Sequence, residues 1–468
     1  MSNRLTATGA LAIVLCLSSC MLGPNYQRPA APTPPAFKEE PPLGWKQAQP
    51  NDGAVRGKWW TIYHDARLNA LEEQVVISNQ NVLAAEALFR EAKAAVSVAR
   101  AGLFPGLTSS PSLVNSRSQT LYTIPVSFSY QIDVWGSIRR GIAANSALAQ
   151  ASAAQLANVQ LVYQAALATD YFQLQGLDAS LRLFGATVQS YERNVELTKN
   201  RYDGGVASMG DVALAQTQME SARAQLADLG IQRAQFEHAI AVLTGKPPSE
   251  LAIAEGTVQA PPPPFLAGVP SGMLERRPDI AAAERQVAAA NEQIGIAKAA
   301  LFPALTLGAS AGSQASAIAD LLTWPSRFWS VGPQLAGTIF DAGRHRAQIR
   351  MSQAAYDATV ANYRQTVLTG FQQVEDSLAQ LRILAEEGVI EDRAVHAAQQ
   401  SLQISTDQYR GGLANYLQVI TAQTAALQNQ RAAVEILTRR MVASVVLIEA
   451  LGGEWDVALL PAAQDVQR

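Results

Sequence analysis

Few side chains in this sequence have the type and spacing that enzymatic chemistry requires. The four histidines are far apart in the chain: His64, His238, His345 and His396. No zinc-ligand spacing joins them to a cysteine. The Gly245-Lys246 pair in LTGKPP lacks the upstream glycine of a phosphate-binding loop, and Pro247 stands where such a loop has a hydroxyl residue. The sequence therefore predicts no enzyme, and no bound metal or other cofactor.

Cys20 is the cysteine whose surroundings indicate a modification. Arg4 is followed by an apolar stretch, residues 5–17, that is too short to cross a bilayer of about 30 Å as a helix. The stretch ends in LSSC, which resembles the lipobox of bacterial lipoproteins. We therefore predict a signal peptide over residues 1–19 and a covalent N-terminal lipid on Cys20; the alternative is a coincidental cysteine in an ordinary signal peptide. Lipoproteins that stay in the inner membrane usually have an Asp after this cysteine; this sequence has Met21 there, so the resemblance points to the outer membrane.

The composition favours packed helices and disfavours nucleic acid as a partner. Only 16% of the residues are charged and the formal net charge is -3, so no basic surface for binding nucleic acid is predicted. Hydrophobic residues make up 48% of the chain, which is ample for burial.

Periodicity and punctuation divide the chain into a Pro-rich segment, two repeats and a tail. The segment covers residues 20–66, the repeats cover 67–266 and 267–456, and the tail covers 457–468. In the first repeat we predict a helix over 67–103, strands within about 105–133, a long helix over 134–201, a turn over 202–210, a helix over 211–245 and a linker to 266. In the second repeat we predict a helix over 278–301, strands within about 303–340, a long helix over 341–409, a turn over 410–416 and a helix over 417–451.

The predicted strands alternate between apolar and polar side chains, which is typical of a sheet with one apolar face. In VSFSYQID the apolar positions are Val126, Phe128, Tyr130 and Ile132. In the second half they are Leu305, Leu307, Ala309, Ala311, Val331, Leu335 and Ile339. Each half is therefore predicted to supply one two-stranded hairpin of membrane-crossing length. Four strands cannot close a barrel, and open edges in lipid leave backbone groups unpaired, so several chains are predicted to pool their strands.

The predicted long helices share a seven-residue apolar spacing and end in similar turns. The spacing includes Tyr202 in the first half and Tyr409 in the second, and it predicts a left-handed supercoil with neighbouring helices. The turns read RYDGGVASMGDV at 201–212 and QYRGGLANYLQV at 408–419, and matched positions are 207 residues apart. We interpret the two halves as copies of one large structural unit.

Several motifs together resemble the TolC-like outer-membrane factors, in particular their NodT-type lipoprotein branch. The motifs are LSSC followed by GPNYQRP, WWTIYHDARLNALEEQVVISNQNV, LFPGLT and LFPALT, DVWGSIRR, RYDGGVASMGDV, RRPDI, FDAGR and ALGGEW. They span nearly all of the mature chain in family order.

The resemblance implies a mixed α and β fold and a homotrimer. In it a twelve-stranded transmembrane β-barrel, four strands per chain, continues into a long periplasmic α-helical barrel. The implied function is the exit duct of a tripartite efflux pump, with a periplasmic adaptor and an inner-membrane transporter of the resistance-nodulation-division type as partners. The alternatives are the exit duct of a type I protein secretion system and a non-conducting periplasmic scaffold.

The resemblance also suggests roles for individual residues. An adaptor-contact tip would comprise Gly204, Gly205, Val206, Gly411, Gly412 and Leu413. A periplasmic aperture would comprise Tyr202, Asp211, Tyr409 and Gln418. Trp135 would anchor the membrane interface. The alternatives are that the glycines only terminate helices, that Asp211 only stabilises a helix N-terminus, and that Trp135 only packs in a core.

Overall fold

The computed structural model describes residues 21–39, 58–117, 119–256, 258, 260–263, 270–453 and 455–467. Cys20 and the predicted signal peptide lie outside the described residues. The helices are α1 Ala66–Ser78, α2 Gln80–Ala101, α3 Ser137–Asp203, α4 Met209–Leu243, α5 Pro270–Arg276, α6 Pro278–Ala299, α7 Arg344–Arg410, α8 Tyr416–Ala450 and α9 Ala463–Val466. The strands are β1 Gly106–Ser109, β2 Ser112–Asn115, β3 Thr120–Ile132, β4 Ala304–Ala315 and β5 Arg327–Ala336. Short 3-10 turns include Trp59–Tyr63 and Trp324–Ser326.

Two pairs of helices of equal length dominate the molecule. Helices α3 and α7 each have 67 residues, and helices α4 and α8, which follow them, each have 35. At 1.5 Å per residue the longer pair extends about 100 Å. Helix α3 packs on α2, α4, α6 and α8, while α7 packs on α6 and α8, so the helices lie side by side. In the described part of the chain, no helix is both long and apolar enough to span a membrane.

Each long helix starts from an aspartate that caps its first turn. The carboxylate of Asp133 accepts hydrogen bonds from the backbone N–H groups of Ile138 at 3.0 Å and Arg139 at 2.9 Å. The carboxylate of Asp341 accepts from Gly343 and His345, both at 2.9 Å. These bonds satisfy helix N–H groups that have no partner within the helix. They fix where the sheet ends and the helices begin.

The strands form one antiparallel sheet in the order β1–β3–β4–β5, with β2 also paired to β3. The predicted alternation of faces is confirmed by the register, because apolar residues pair across the strands on one side. Phe128 pairs with Ala309, and Ala309 pairs with Val331. Ile132 likewise pairs with Leu305, and Leu305 pairs with Leu335. The other side carries small and neutral polar residues: Ser127, Ser129 and Gln131 on β3, Thr306 and Ser310 on β4, and Ser330 and Gln334 on β5.

Two expectations about the strands are wrong. The outer strand of the first hairpin is divided into β1 and β2, because Pro111 lies between them and has no N–H to donate to β3. Ile339 is not on the apolar face of the sheet, because β5 ends at Ala336. The chain beyond it turns toward α7 through Ala342 and Gly343, both with positive φ.

The helix expected over 67–103 is also wrong, because the structure divides it at Asn79. The backbone of Asn79 is extended, and its side chain accepts hydrogen bonds from the N–H groups of Asn81 and Val82 while donating to the carbonyl of Leu243 at 2.8 Å. An asparagine that caps a new helix competes with continuation of the old one. The apolar spacing continues across the break, so periodicity did not reveal it.

The main core packs the Trp59–Tyr63 turn and α1 against the long helix α3 and against α4 and α8. Trp59, Trp60, Leu68 and Val75 pack with Leu167 and its neighbours on α3 and with residues of α4 and α8. A second cluster lies between α6, α7 and α8. Arg233 interrupts the apolar face of α4 because it pairs with the buried Asp178 of α3 at 2.7 Å. Helices α3 and α7 each begin a few residues after a strand, so the sheet lies at one end of a long helical body.

Candidate functional site: the paired helix turns and the sheet-to-helix junction

The turns after α3 and α7 have the same backbone geometry. In the first, Gly205 N–H donates to the carbonyl of Tyr202 at 2.8 Å, and Val206 N–H donates to the carbonyl of Arg201 at 2.8 Å. In the second, Gly412 donates to Tyr409 at 3.1 Å and Leu413 donates to Gln408 at 2.8 Å. This is the Schellman arrangement, which satisfies the last carbonyls of a helix with a residue in the left-handed region.

Only the second glycine of each pair has a positive φ. Gly205 has φ 73° and Gly412 has φ 74°, whereas Gly204 and Gly411 have φ -81° and -76°. A Cβ at Gly205 or Gly412 would meet nothing within 4 Å, so backbone conformation rather than crowding requires glycine there. The first glycine of each pair has a backbone conformation that other residues can adopt.

Each turn presents an apolar side chain to the surroundings. Val206 is 68% exposed and Leu413 is 84% exposed. Helix α4 then starts with a capping box in which the Asp211 carboxylate accepts from the N–H of Ser208 at 3.0 Å and Ser208 Oγ accepts from the N–H of Asp211 at 3.1 Å. At the matching position Gln418 is exposed, and only its N–H bonds to the cap side chain, Asn415, at 3.2 Å.

The two turns are held together by a contact that the sequence did not predict. Arg201 Nη1 donates to the carbonyl of Arg410, the last residue of α7, at 3.1 Å. Its guanidinium carbon lies 4.7 Å from the centre of the Tyr409 ring, which in turn lies 5.2 Å from the Tyr416 ring. Burial, with the neighbouring Tyr409 as a smaller cause, raises the pKa of Tyr416 to about 12.

The tyrosines of the two turns are not equivalent, although the heptad spacing predicted both to pack between helices. Tyr409 is 5% exposed, and its hydroxyl has no hydrogen-bond partner among the described residues. Tyr202 is 44% exposed. The sequence contains one signal of this asymmetry: the residue before Tyr202 is Arg201, whereas the residue before Tyr409 is Gln408. Within one chain, Tyr409 therefore packs in a buried cluster, whereas Tyr202 remains partly exposed.

The opposite end of the helical body is the junction with the sheet, where Trp135 lies. Its indole N–H donates to the carbonyl of Pro303 at 2.8 Å, and its ring stacks on Phe302 with centroids 4.7 Å apart. Trp135 follows β3, while Phe302 and Pro303 precede β4. The residue thus ties the ends of the two central strands together.

Residues 21–39 start at this junction and run along α6 and α7. Leu22 N–H donates to the carbonyl of Trp135 at 3.3 Å. Farther on, Asn291 donates to the carbonyl of Pro24 at 3.1 Å, and Glu375 accepts from the N–H groups of Lys38 at 2.7 Å and Glu39 at 2.8 Å. These contacts hold residues 21–39 against the two helices.

A family model described as "Outer membrane efflux protein" matches residues 71–246 and 269–453, which is more than half of the chain. The chain belongs to the outer membrane efflux protein family. It is 30% identical to the outer membrane protein OprJ of Pseudomonas aeruginosa, over 96% of this chain and 95% of that protein. It is also 30% identical to the toluene efflux pump outer membrane protein TtgC of Pseudomonas putida, over 97% and 96% of the two chains.

Solved structures of outer-membrane channels have the same fold as this efflux protein. The outer-membrane channel OprN matches with a TM-score of 0.84 and 27% identity, over 93% of this chain and 100% of that one. The resemblance noted from the motifs is therefore confirmed. Among the described residues of the efflux protein, no group of histidine, cysteine and acidic side chains is arranged to hold a metal ion.

Proposed function

We propose that three copies of this efflux protein form the exit channel of a tripartite efflux pump. The observation that carries the proposal is a two-faced sheet with unpaired edges at the end of a pair of 67-residue helices. The channel passes substrates passively, and the energy comes from an inner-membrane transporter, of the resistance-nodulation-division type, through a periplasmic adaptor.

The sheet supports a barrel because its faces and edges need different surroundings. The continuous apolar face suits lipid, and the neutral polar face suits a water-filled interior. Strand β5 and the β1–β2 side are open edges of one chain, and such edges are not stable in lipid. Pairing β5 of one chain with the β1–β2 edge of the next, three times, gives a closed twelve-stranded barrel. The four helices α3, α4, α7 and α8, arranged as two structural repeats, form one third of the helical barrel below it.

The paired turns lie at the far end of the helices and form the periplasmic tip. Val206 and Leu413 are exposed apolar side chains held on rigid turns, which suits contact with an adaptor. Tyr202, Asp211, Tyr409 and Gln418 surround the aperture at this end. The capping role of Asp211 uses one carboxylate oxygen, Oδ2, for both bonds with Ser208 and leaves the other for a passing cation.

The lipid on Cys20 is an additional anchor at the inner face of the membrane. Cys20 directly precedes Met21. Met21 packs closely on Gly136 at the junction, since a Cβ added to Gly136 would lie 2.7 Å from Met21 Cγ. Trp135 beside it suits the aromatic girdle of a membrane barrel. Acyl chains attached here would enter the periplasmic leaflet next to the barrel.

Conductance in a planar bilayer tests the proposed function. We expect discrete, stepwise currents from the purified oligomer, and larger or more frequent openings when Arg201→Gln loosens the tip. The matched control is Arg193→Gln, an exposed arginine two turns earlier in α3, which should leave the currents unchanged. Oligomers that insert but carry no current, with or without the Arg201 substitution, would support a non-conducting scaffold instead.

A further inference from the structure

Arg327 is the first residue of β5 and lies on the apolar face of the sheet. In the register of β4 and β5, Arg327 pairs with Ser313, and Trp329 pairs with Ala311. Since successive side chains alternate between faces, Arg327 shares its face with Trp329, Val331 and Leu335. It is the one charged residue within the five described strands. A cation on this face needs an anionic partner or water nearby.

The length of β5 places Arg327 at the boundary of the apolar band. The strand has 10 residues, which at about 3.4 Å each span roughly 30 Å. Tilted by about 40°, as barrel strands are, it rises about 25 Å, which is the height of the apolar band of a membrane barrel. The other end of the strand lies by Trp135 and the helices. Arg327 is therefore one membrane thickness away, at the outer side.

One aromatic ring packs against the Arg327 guanidinium, and a second indole lies on the same face of the strand. The guanidinium carbon lies 4.5 Å from the centre of the Trp324 ring. Trp324 is 77% exposed, and Trp329, two residues after Arg327 on the same face of β5, is 78% exposed, so both indoles and the cation are open to the surroundings. Within the described part of the chain, no carboxylate forms an ion pair with Arg327; Asp320, in the loop before it, is engaged in none.

We infer that Arg327, Trp324 and Trp329 bind a phosphate group of lipopolysaccharide in the outer leaflet. The inference rests on the proposed function, because the proposed orientation turns this end of the sheet away from the periplasm. A guanidinium forms two parallel charge-assisted hydrogen bonds with a phosphate, and the Trp324 ring holds it in place by a cation–π contact. Indoles are favoured at the boundary between hydrocarbon and headgroups. The phosphates of lipid A occupy that level of the outer leaflet.

Native mass spectrometry of the full-length oligomer, titrated with bisphosphorylated lipid A or with the same lipid after removal of its phosphates, tests this inference. We expect Arg327→Gln to weaken binding of the phosphorylated lipid at least fivefold. Arg327→Lys should lose about twofold, since lysine keeps the charge but not the paired hydrogen bonds. Trp324→Leu should also weaken binding. The matched control is Arg117→Gln, an exposed arginine on the β2–β3 turn at the same end of the sheet, which should change binding less than twofold.

The outcomes separate this inference from the proposed function. Equal lipid binding by the wild type and Arg327→Gln, or no preference of the wild type for the phosphorylated lipid, would overturn the inference. Stepwise bilayer currents from the same protein would still support the proposed channel. An equal loss in Arg117→Gln would replace the site with general charge attraction and would also overturn it. A protein that neither forms oligomers nor inserts into bilayers would overturn both.

Discussion

The guanidinium of Arg201 lies 4.7 Å from the centre of the Tyr409 ring, which joins the end of α3 to the end of α7. The same guanidinium caps the C-terminus of α7 by donating to the carbonyl of Arg410. A cation at this position also faces the negative end of the α7 helix dipole. One side chain at the end of α3 thus contacts both the end of α7 and a tyrosine beside it.

We predict that Arg201→Gln loosens the second turn and leaves the first turn folded. The substitution removes a cation–π contact of about 0.5–2 kcal/mol and a charged hydrogen bond of about 1.5–3 kcal/mol. Hydrogen–deuterium exchange over residues 405–416 should accelerate about tenfold or more. Arg193→Gln is the control. Equal exchange rates in the wild type, Arg201→Gln and Arg193→Gln would mean that the Arg201 contacts do not stabilise the second turn.

The two glycines of a turn should respond differently to alanine. Gly205→Ala places a Cβ on a residue with φ 73°, at a cost of about 1–2 kcal/mol. Gly204→Ala is compatible with its φ of -81°. Amide exchange over residues 199–207 should accelerate roughly 5–30-fold in Gly205→Ala only. A comparable acceleration in Gly204→Ala would show that the backbone argument is wrong.

Glu72 should make the folded protein less stable as the pH rises. It is fully buried on α1, and neither carboxylate oxygen has a hydrogen-bond partner among the described residues, so burial raises its pKa well above 4.5. The folded state then binds more protons than the unfolded state above about pH 4.5, and stability falls with pH until the folded pKa is passed, by at most about 1.4 kcal/mol per pH unit.

Glu72→Gln is therefore expected to raise the apparent melting temperature at pH 8 and to flatten its dependence between pH 5 and pH 8. The control is Glu73→Gln, whose carboxylate is exposed and pairs with Lys58. That substitution should leave the pH dependence of the wild type in place. If the melting temperatures of the wild type and Glu72→Gln depend on pH in the same way, the raised pKa of Glu72 is not the cause of the pH dependence.

Cys20→Ala should abolish lipidation and still leave oligomers in the outer membrane. The reason is that closing the barrel satisfies every strand edge, whereas acyl chains add only about 0.8 kcal/mol for each buried methylene. Mass spectrometry of the N-terminal peptide and native gels of membrane extracts measure the two effects. Complete loss of oligomers in this variant would show that the lipid is indispensable for assembly.

The sequence predicted features that depend on local spacing. The alternation in VSFSYQID gave the apolar face of the sheet, and the Gly pairs gave the two turns, because side-chain period and positive φ are local properties. Contacts between distant segments were not predictable in this way. Arg201 and Tyr409 are 208 positions apart, so their contact depends on how the halves pack.

Some missed features were nevertheless present in the sequence. Pro111 signals the break between β1 and β2, since proline cannot donate to a strand ladder. Asn79 signals the break between α1 and α2, since asparagine is a preferred N-cap. Both were obscured because the apolar pattern on either side is continuous. Arg327 is the one charged residue of the described strands, and the strand register places it on the apolar face of the sheet.

The mass of the purified, detergent-solubilised protein tests whether one chain supplies one third of a hollow cylinder. Light scattering combined with size-exclusion chromatography should give a protein mass about three times that of one mature chain. A uniform population with the mass of a single chain would contradict the trimeric channel.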